Sequence, residues 1–214
     1  MKRKIRRYKK SAKAEGLLTE ALEVLRHGQV IAFPTETFYG LGADALNGKA
    51  VARVVALKGR DPNSPLPVIV ADERMLRSVV TIVAPLARRL MDQFWPGPLT
   101  LVMPGNPKLP KPLLNRKGGI GVRVSNHPIA QRLVAELGHP ITATSANPSG
   151  QVPARSWQEV LGYFAARVGL IIDGGQLTSK KGSTVVEVNG DEIRVIREGE
   201  IKPATLYKVV GSAS

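Results

Sequence analysis

Residues 29–45 read QVIAFPTETFYGLGADA, a short apolar run followed by a polar loop that contains two glycines. The apolar run, Gln29–Phe33, ends at Pro34 and is predicted to be a buried strand. Before it, apolar residues recur at helical spacing until Gly28, a natural helix C-cap. After the loop, Ala50–Leu57 shows the same helical period. This order of helix, strand, loop and helix indicates an α/β fold.

The rest of the chain continues this pattern without strict alternation. Further strands are predicted at Pro67–Val70, Leu99–Met103, Ile120–Val124, Ile141–Thr144 and Leu170–Ile172. Further helices are predicted after Asp72, at Ala84–Phe94, at Pro128–Leu137 and after Ser156. Asn189-Gly190-Asp191 separates two apolar runs and predicts a hairpin at the end of the chain. We therefore expect one domain over residues 14–214, with a twisted, mixed, open sheet covered by helices.

The charge of the chain is large and unevenly placed. Its 214 residues include 31 Lys and Arg, 17 Asp and Glu, and no Cys, for a formal net charge of +14. Residues 1–13 contain no acid and eight of the cations: Lys2, Arg3, Lys4, Arg6, Arg7, Lys9, Lys10 and Lys13. Such a basic arm is expected to be flexible, and it could contact a polyanion such as tRNA or another RNA. A solvated terminus without a function is the alternative.

Several classes of protein are excluded by what the sequence lacks. Without cysteine there is no disulfide scaffold, thiolate zinc site or cysteine nucleophile. No apolar run is long enough to span a membrane, and none follows the basic terminus, so we expect a cytoplasmic protein without a membrane partner. Walker A, G-x-S-x-G and spaced metal-ligand motifs are missing as well. An enzyme of this sequence would rely on positioning and charge neutralisation, as nucleotidyl transfer does.

Three loops carry clusters of polar side chains. They are residues 34–42, the segment that begins with Lys58 and Arg60, and residues 144–150. Each one alone is also compatible with an ordinary turn or helix end. Because α/β sheets bind ligands beyond the carboxyl ends of their strands, the loops together indicate a site for a small polar or anionic ligand. Arg123 lies in a predicted strand, needs a partner if buried, and is expected near the third loop.

Seven segments, in order over residues 15–200, resemble the YrdC-like family, the threonylcarbamoyl-AMP synthases. They are PTETFYGLGADA, KGR followed by PL, WPGPLTLV, GVRVSNHP, TSANPSG, STVVEV and IREG. The resemblance implies a twisted mixed α/β sheet with a basic concave cleft. It also implies that L-threonine, bicarbonate and ATP are converted to L-threonylcarbamoyl-AMP and pyrophosphate. Downstream threonylcarbamoyl-transferase proteins then modify the adenosine beside the tRNA anticodon. Mg²⁺ is expected on the phosphates of ATP, since the sequence shows no carboxylate cage.

The resemblance also assigns roles to individual residues. Lys58 and Arg60 match a catalytic pair that holds phosphates or the carbamate. Matching positions for ATP are Arg60, Ser64, Ser145, Asn147 and Arg197, and those for threonine are Thr37, Arg123 and Ser183. Arg123 is expected to pair with the carboxylate of the amino acid.

Two other functions remain open at the level of the sequence. The first is an RNA-binding paralogue, active in ribosome or tRNA maturation and without synthase activity, which the basic arm favours. The second is a carbamoyl-transfer domain like those of hydrogenase maturation proteins, for which 214 residues is short.

Overall fold

The computed structural model describes residues 5–7, 12–61 and 64–211, which form eleven strands and seven α-helices. The strands are β1 (Ile5–Arg7), β2 (Ile31–Phe33), β3 (Gly40–Gly42), β4 (Val68–Ile69), β5 (Leu99–Pro104), β6 (Gly119–Arg123), β7 (Ile141–Thr142), β8 (Thr144–Ser145), β9 (Leu170–Asp173), β10 (Thr184–Asn189) and β11 (Glu192–Arg197). The helices are α1 (Ala12–Arg26), α2 (Gly48–Lys58), α3 (Glu73–Val79), α4 (Pro85–Phe94), α5 (Pro128–Leu137), α6 (Trp157–Phe164) and α7 (Pro203–Gly211). Among these residues no helix is both long and apolar enough to span a membrane.

The strands form two sheets, of five strands in the order β1-β9-β2-β3-β8 and of six in the order β11-β10-β5-β6-β4-β7. Strands β7 and β8 belong to one segment, residues 141–145. In this segment Thr142 pairs with Val68 of the larger sheet, and Thr144 pairs with Leu41 of the smaller one. Both sheets contain parallel and antiparallel pairs. The predicted α/β fold with a mixed sheet is therefore confirmed, although there are two joined sheets rather than one.

The buried side chains form two apolar clusters. Residues 30–33 alternate between the two clusters. Ile31 and Phe33 belong to the smaller cluster, and Val30 and Ala32 belong to the larger one. This alternation follows from the period of two in a strand, and it explains why the whole segment is apolar. The smaller cluster also holds the leucines of α1 and α5, so these two helices cover one face of the sheet.

Two elements of the structure differ from the sequence expectation. The sequence predicts a loop over the stretch that contains strand β3, because glycine is rare in strands. Gly42 is required there, since a Cβ would lie 2.7 Å from the Phe33 ring and 2.9 Å from Ile141. The final hairpin is present, with Val188 opposite Ile193, but helix α7 follows it, so the hairpin does not end the described chain.

The N-terminal segment is only partly described. Within the arm that the sequence predicts to be flexible, Ile5–Arg7 forms the edge strand β1, which runs parallel to β9 with Ile5 opposite Ile171. Residues 12 and 13 belong to α1. Residues 1–4 and 8–11 lie outside the described residues, so RNA contact through this arm stays a prediction.

Candidate active site

The first polar loop is fixed by its own threonines. Thr35 Oγ1 donates to the carbonyl of Phe38 at 2.7 Å and accepts from the backbone amide of Thr37 at 3.2 Å. Both threonines are almost fully buried, with 2% and 4% exposure. Glu36, between them, is therefore held in one place rather than on a loose turn.

Tyr39 connects this loop to the end of β9. Its hydroxyl donates to the carbonyl of Gly175 at 2.8 Å and accepts from the amide of Gly174 at 3.0 Å. Burial raises the pKa of Tyr39 to about 12, so its phenol stays protonated at neutral pH. Gly174 packs so closely on Pro34 that a Cβ would lie 2.4 Å from the proline ring. The loop and the strand end therefore form one packed unit.

Arg123 at the end of β6 forms a buried ion pair with Glu36. Its Nη1 donates to Glu36 Oε1 at 2.8 Å and to Thr37 Oγ1 at 3.4 Å. The Arg123 side chain is 6% exposed, and that of Glu36 is 11% exposed. The Ser125 hydroxyl donates to Glu36 Oε2. Burial lowers the pKa of Arg123, and the charge of Glu36 opposes that change.

The position of Arg123 corrects one sequence expectation. It was expected beside the third loop if its strand paired with the strand of that loop. In the structure β4 lies between β6 and β7, so those strands do not pair. Arg123 contacts Glu36 of the first loop. The order of strands in a sheet could not be predicted from the local sequence, because it depends on contacts between residues that are far apart along the chain.

Lys58, the last residue of α2, holds the third loop. Its side chain is 3% exposed, and Nζ donates to the carbonyls of Ser145 at 2.6 Å and Asn147 at 2.8 Å. The Lys58 carbonyl accepts from the amide of Ser149 at 2.8 Å. Burial, and then the nearby charge of Arg60, lowers the pKa of Lys58 to about 8. Lys58 thus shapes the loop that carries the Ser-x-Asn pair.

Arg60 holds the segment that follows it. Gly59 takes the left-handed conformation with φ of 55°, which turns the chain out of α2. Arg60 then donates from Nε to the Ser64 carbonyl at 2.7 Å and from Nη2 to the Pro65 carbonyl at 3.0 Å. Its Nη1 lies 3.4 Å from Thr144 Oγ1. Arg60 therefore links the second and third loops.

Asn147 presents a buried acceptor that the described residues do not satisfy. Its amide Nδ2 donates to the carbonyls of Pro148 and Gln151, both at 2.8 Å. Its Oδ1 is buried and has no partner among the described residues. Because buried polar atoms are nearly always hydrogen-bonded, this oxygen is open to a donor from an ordered water or a ligand. Ser145, two residues earlier, is half-buried at the end of β8.

Arg197 and Ser183 meet at the end of the hairpin. Arg197 Nη2 donates to the Ser183 carbonyl at 2.9 Å and lies 3.3 Å from its hydroxyl. That hydroxyl is also 2.8 Å from Thr100 Oγ1. Burial lowers the pKa of Arg197, and the charge of Arg123 lowers it further.

Four cations therefore form an electrostatically coupled group, which we call the cationic row. The charge of Arg60 affects the pKa of Lys58, that of Arg197 affects Arg60, and that of Arg123 affects Arg197. Glu36 lies at the Arg123 end. Like charges held close together repel one another unless an anion lies between them, so the cationic row indicates a site for an anionic ligand.

A separate cavity of about 410 Å³ lies beside α3 and α4. Its lining includes Asp72, Glu73 and Asp92 together with Trp95, and none of the residues of the cationic row. An acidic lining repels phosphate. The cationic row, rather than this cavity, is therefore the candidate site for an anionic ligand.

All nine residues that the sequence assigns to the site take part in this arrangement or lie next to it. Direct hydrogen bonds join Lys58 to Ser145 and Asn147, Arg60 to Ser64, Arg123 to Thr37, and Arg197 to Ser183. Their catalytic and binding roles stay predictions.

Sequence reasoning missed Glu36, Ser125 and Tyr39. The signal that could have found Glu36 is the need of a buried arginine for a carboxylate, together with an acid between two threonines after a buried strand.

Comparison with known proteins places these features in a family. A family model, Sua5–YciO–YrdC, with the description "Telomere recombination", matches residues 23–199. A threonylcarbamoyl-AMP synthase of Bacillus subtilis is 36% identical over 195 residues, which cover 91% of this chain and 56% of that protein. The crystal structure of Pyrococcus abyssi Sua5 complexed with L-threonine superposes with a TM-score of 0.91 at 34% identity, covering 99% of this chain and 61% of that one. Escherichia coli YciO superposes with a TM-score of 0.82 at 30% identity, covering 94% and 97%. The chain thus spans little more than half the length of the first two curated relatives it matches, at 55% and 56%.

Proposed function

This chain belongs to the Sua5–YciO–YrdC family, and on that premise we propose that it is a threonylcarbamoyl-AMP synthase. In this reaction the amine of L-threonine captures carbon dioxide, derived from bicarbonate, as a carbamate. A carbamate oxygen then attacks the α-phosphate of ATP, and pyrophosphate leaves. The substrates supply both the nucleophile and the leaving group. The protein has to orient them and neutralise their charge.

The observation that carries this proposal is the cationic row. ATP and the carbamate are both anionic, so they repel each other unless cations lie between them. Arg60 and Arg197 are neighbours in the row, since the charge of Arg197 lowers the pKa of Arg60; Arg60 is half-buried and Arg197 is exposed. A guanidinium binds phosphate or carboxylate oxygens through paired N–H groups, so these two residues are proposed to bridge the two substrates. Lys58 adds charge and holds the third loop in place.

The third loop is proposed to bind the nucleoside part of ATP. The unsatisfied Oδ1 of Asn147 can accept a hydrogen bond from an adenine amine or a ribose hydroxyl. Ser145 and Ser64 supply further polar groups next to the same segment. At the other end of the row, Arg123, Thr37 and Ser183 are proposed to take threonine. Pyrococcus abyssi Sua5 was solved in complex with L-threonine, which supports threonine as a ligand of this chain.

A resident metal ion does not fit the described residues, which contain no group of three or more His, Cys, Asp or Glu side chains able to hold one. We propose that Mg²⁺ arrives bound to the phosphates of ATP, as part of the substrate. The roles given above to the protein's own residues do not depend on it.

The proposal predicts that pyrophosphate release from ATP requires both L-threonine and bicarbonate. Each substrate is withheld in turn, and pyrophosphate is measured together with the adenylate product. Omission of either one should reduce release to background. Release of pyrophosphate that is unaffected by omitting threonine would contradict the assignment. No release with all three substrates, together with tight RNA binding, would favour the RNA-binding alternative.

A second prediction concerns pH and Lys58. Because burial and Arg60 lower the pKa of Lys58 to about 8, its ammonium should lose its proton as the pH rises from 7 to 9. The dissociation constant for ATP should increase over that range, since the site loses a positive charge.

The contribution of Lys58 to folding stability should change in the opposite direction. Its folded-state pKa is below the unfolded value of 10.5, so stability from this group rises with pH between about 8 and 10.

Calorimetric titration of ATP at several pH values measures the first effect, and thermal unfolding at the same pH values measures the second. Lys58→Arg is the matched variant, because a guanidinium keeps its charge over the whole range. The affinity of Lys58→Arg for ATP should therefore stay constant with pH. An identical loss of affinity in the wild type and in Lys58→Arg would show that another group is responsible.

The product is proposed to pass to downstream threonylcarbamoyl-transferase proteins, which act on tRNA. Direct contact with tRNA or another RNA through the basic arm of residues 1–13 is a separate proposal. The eight cations of that segment support it.

A further inference from the structure

Glu36 places a carboxylate at one end of the cationic row. Its side chain is 11% exposed, and its two oxygens accept from Arg123 and Ser125. An ionised carboxylate offers about four acceptor positions, so these two bonds leave acceptor capacity for a ligand. The buried Thr35 and Thr37 on either side keep the carboxylate in place.

The pairing of Glu36 with Arg123 matches the charges of an α-amino acid. Such a ligand carries an ammonium and a carboxylate on neighbouring atoms, so it needs an anion and a cation side by side. Glu36 Oε1 and Arg123 Nη1 lie 2.8 Å apart and supply that arrangement. The remainder of the row, from Arg197 to Lys58, is cationic and suits only the anionic groups.

We infer that Glu36 binds the α-ammonium group of the amino-acid substrate and selects amino acids over carboxylates that lack the amine. This inference rests on the proposed function, because it names the residue that recognises one group of its substrate. With the carboxylate of the substrate on Arg123, the amine lies between Glu36 and the middle of the row. The nitrogen is then oriented towards the anion-binding part of the site. There the ammonium would pass one proton to bicarbonate, which becomes carbon dioxide and water, and the free amine would capture the carbon dioxide and release a second proton to solvent.

The test compares two ligands in the wild type and in Glu36→Gln. L-Threonine has the ammonium group, and 3-hydroxybutyrate keeps the carboxylate and the hydroxyl but lacks it. Calorimetry without bicarbonate measures binding alone. In Glu36→Gln the dissociation constant for threonine should rise about 10- to 100-fold, as expected for a lost hydrogen bond between charged groups. The dissociation constant for 3-hydroxybutyrate should stay the same or fall, because the substitution removes a negative charge that repels this anion.

Two further variants serve as controls. Glu73→Gln removes a carboxylate that also pairs with arginines, but on α3 and at 44% exposure, and it should change neither affinity. Ser125→Ala removes one hydrogen bond to Glu36 and keeps the carboxylate, so it should retain the preference for threonine. Thermal unfolding of every variant identifies any that fails to fold.

The outcomes separate this inference from the proposed function. Equal weakening of both ligands in Glu36→Gln indicates a purely structural role and overturns the inference, as does no change in either. Loss of the preference in Ser125→Ala overturns it too, because the charge is still present. If the wild type binds no threonine at all, the proposed function fails. If the wild type binds threonine and makes product while Glu36→Gln keeps the preference, only the role of Glu36 fails.

Discussion

Replacing Arg60 with alanine should lower kcat/KM for ATP-dependent product formation by about 100- to 1000-fold, the effect of removing one preorganised group that stabilises transition-state charge. The charge of Arg60 acts on Lys58, and that of Arg197 acts on Arg60, so Arg60 connects the two in the cationic row. Its loss would remove a cation from the place where we propose that charge develops on the α-phosphate. Steady-state kinetics of pyrophosphate release measure the effect. Arg60→Lys keeps the charge but loses the paired N–H groups, and an intermediate loss is expected.

Arg60 also holds the Ser64 and Pro65 carbonyls, so its removal could act through the loop. Thermal unfolding separates the two effects, because a variant that unfolds cooperatively near the wild-type temperature retains the fold. The matched control is Arg77→Ala on the surface of α3, where 75% of the side chain is exposed. This variant should keep normal kinetics. Normal kinetics in Arg60→Ala would remove Arg60 from the catalytic site.

The second large effect concerns stability. Arg123→Leu should reduce the free energy of unfolding by about 3–5 kcal/mol, because it leaves the Glu36 carboxylate buried without its cation. For a chain of this size that corresponds to a fall of roughly 6–20 °C in Tm. Calorimetry measures the change. The double variant, Arg123→Leu with Glu36→Leu, should recover most of the loss, since no unpaired charge remains.

The contrast with a surface pair makes the test specific. Arg132 and Glu136 form a similar bridge at 2.8 Å, but their side chains are 40% and 42% exposed. Arg132→Leu should therefore change stability by no more than about 1 kcal/mol. A double variant at Arg123 and Glu36 that is no more stable than Arg123→Leu would show that the buried charge is not the source of the loss.

Local patterns were sufficient for most of the fold. The apolar period of β2 and the capping residues of α3 and α6 predict elements that the structure contains. The features that the sequence did not predict depend on contacts between residues that are distant along the chain. Gly40–Gly42 forms a strand because its neighbours pair with it and because the Phe33 ring packs on Gly42, not because glycine favours strands. The same holds for Ile5–Arg7, whose pairing with β9 joins segments that are far apart along the chain.

The candidate site was predictable in content but not in arrangement. The residue types in the three loops indicated an anion site, and the resemblance to the family named the individual residues. The partners of those residues could not be predicted. Lys58 binds loop carbonyls, and Arg123 pairs with Glu36 instead of lying beside the third loop, because β4 separates their strands. Both facts follow from strand order and from burial, which local sequence does not encode.

Residues 141–145 have a consequence for how the protein unfolds. Their backbone pairs with Val68 in one sheet and with Leu41 in the other, so one short piece of chain contributes to two sheets. Opening it breaks the ladders of both sheets at once. Since β7 and β8 are the edge strands of their sheets, we expect local opening of this segment to loosen one edge of each sheet at the same time.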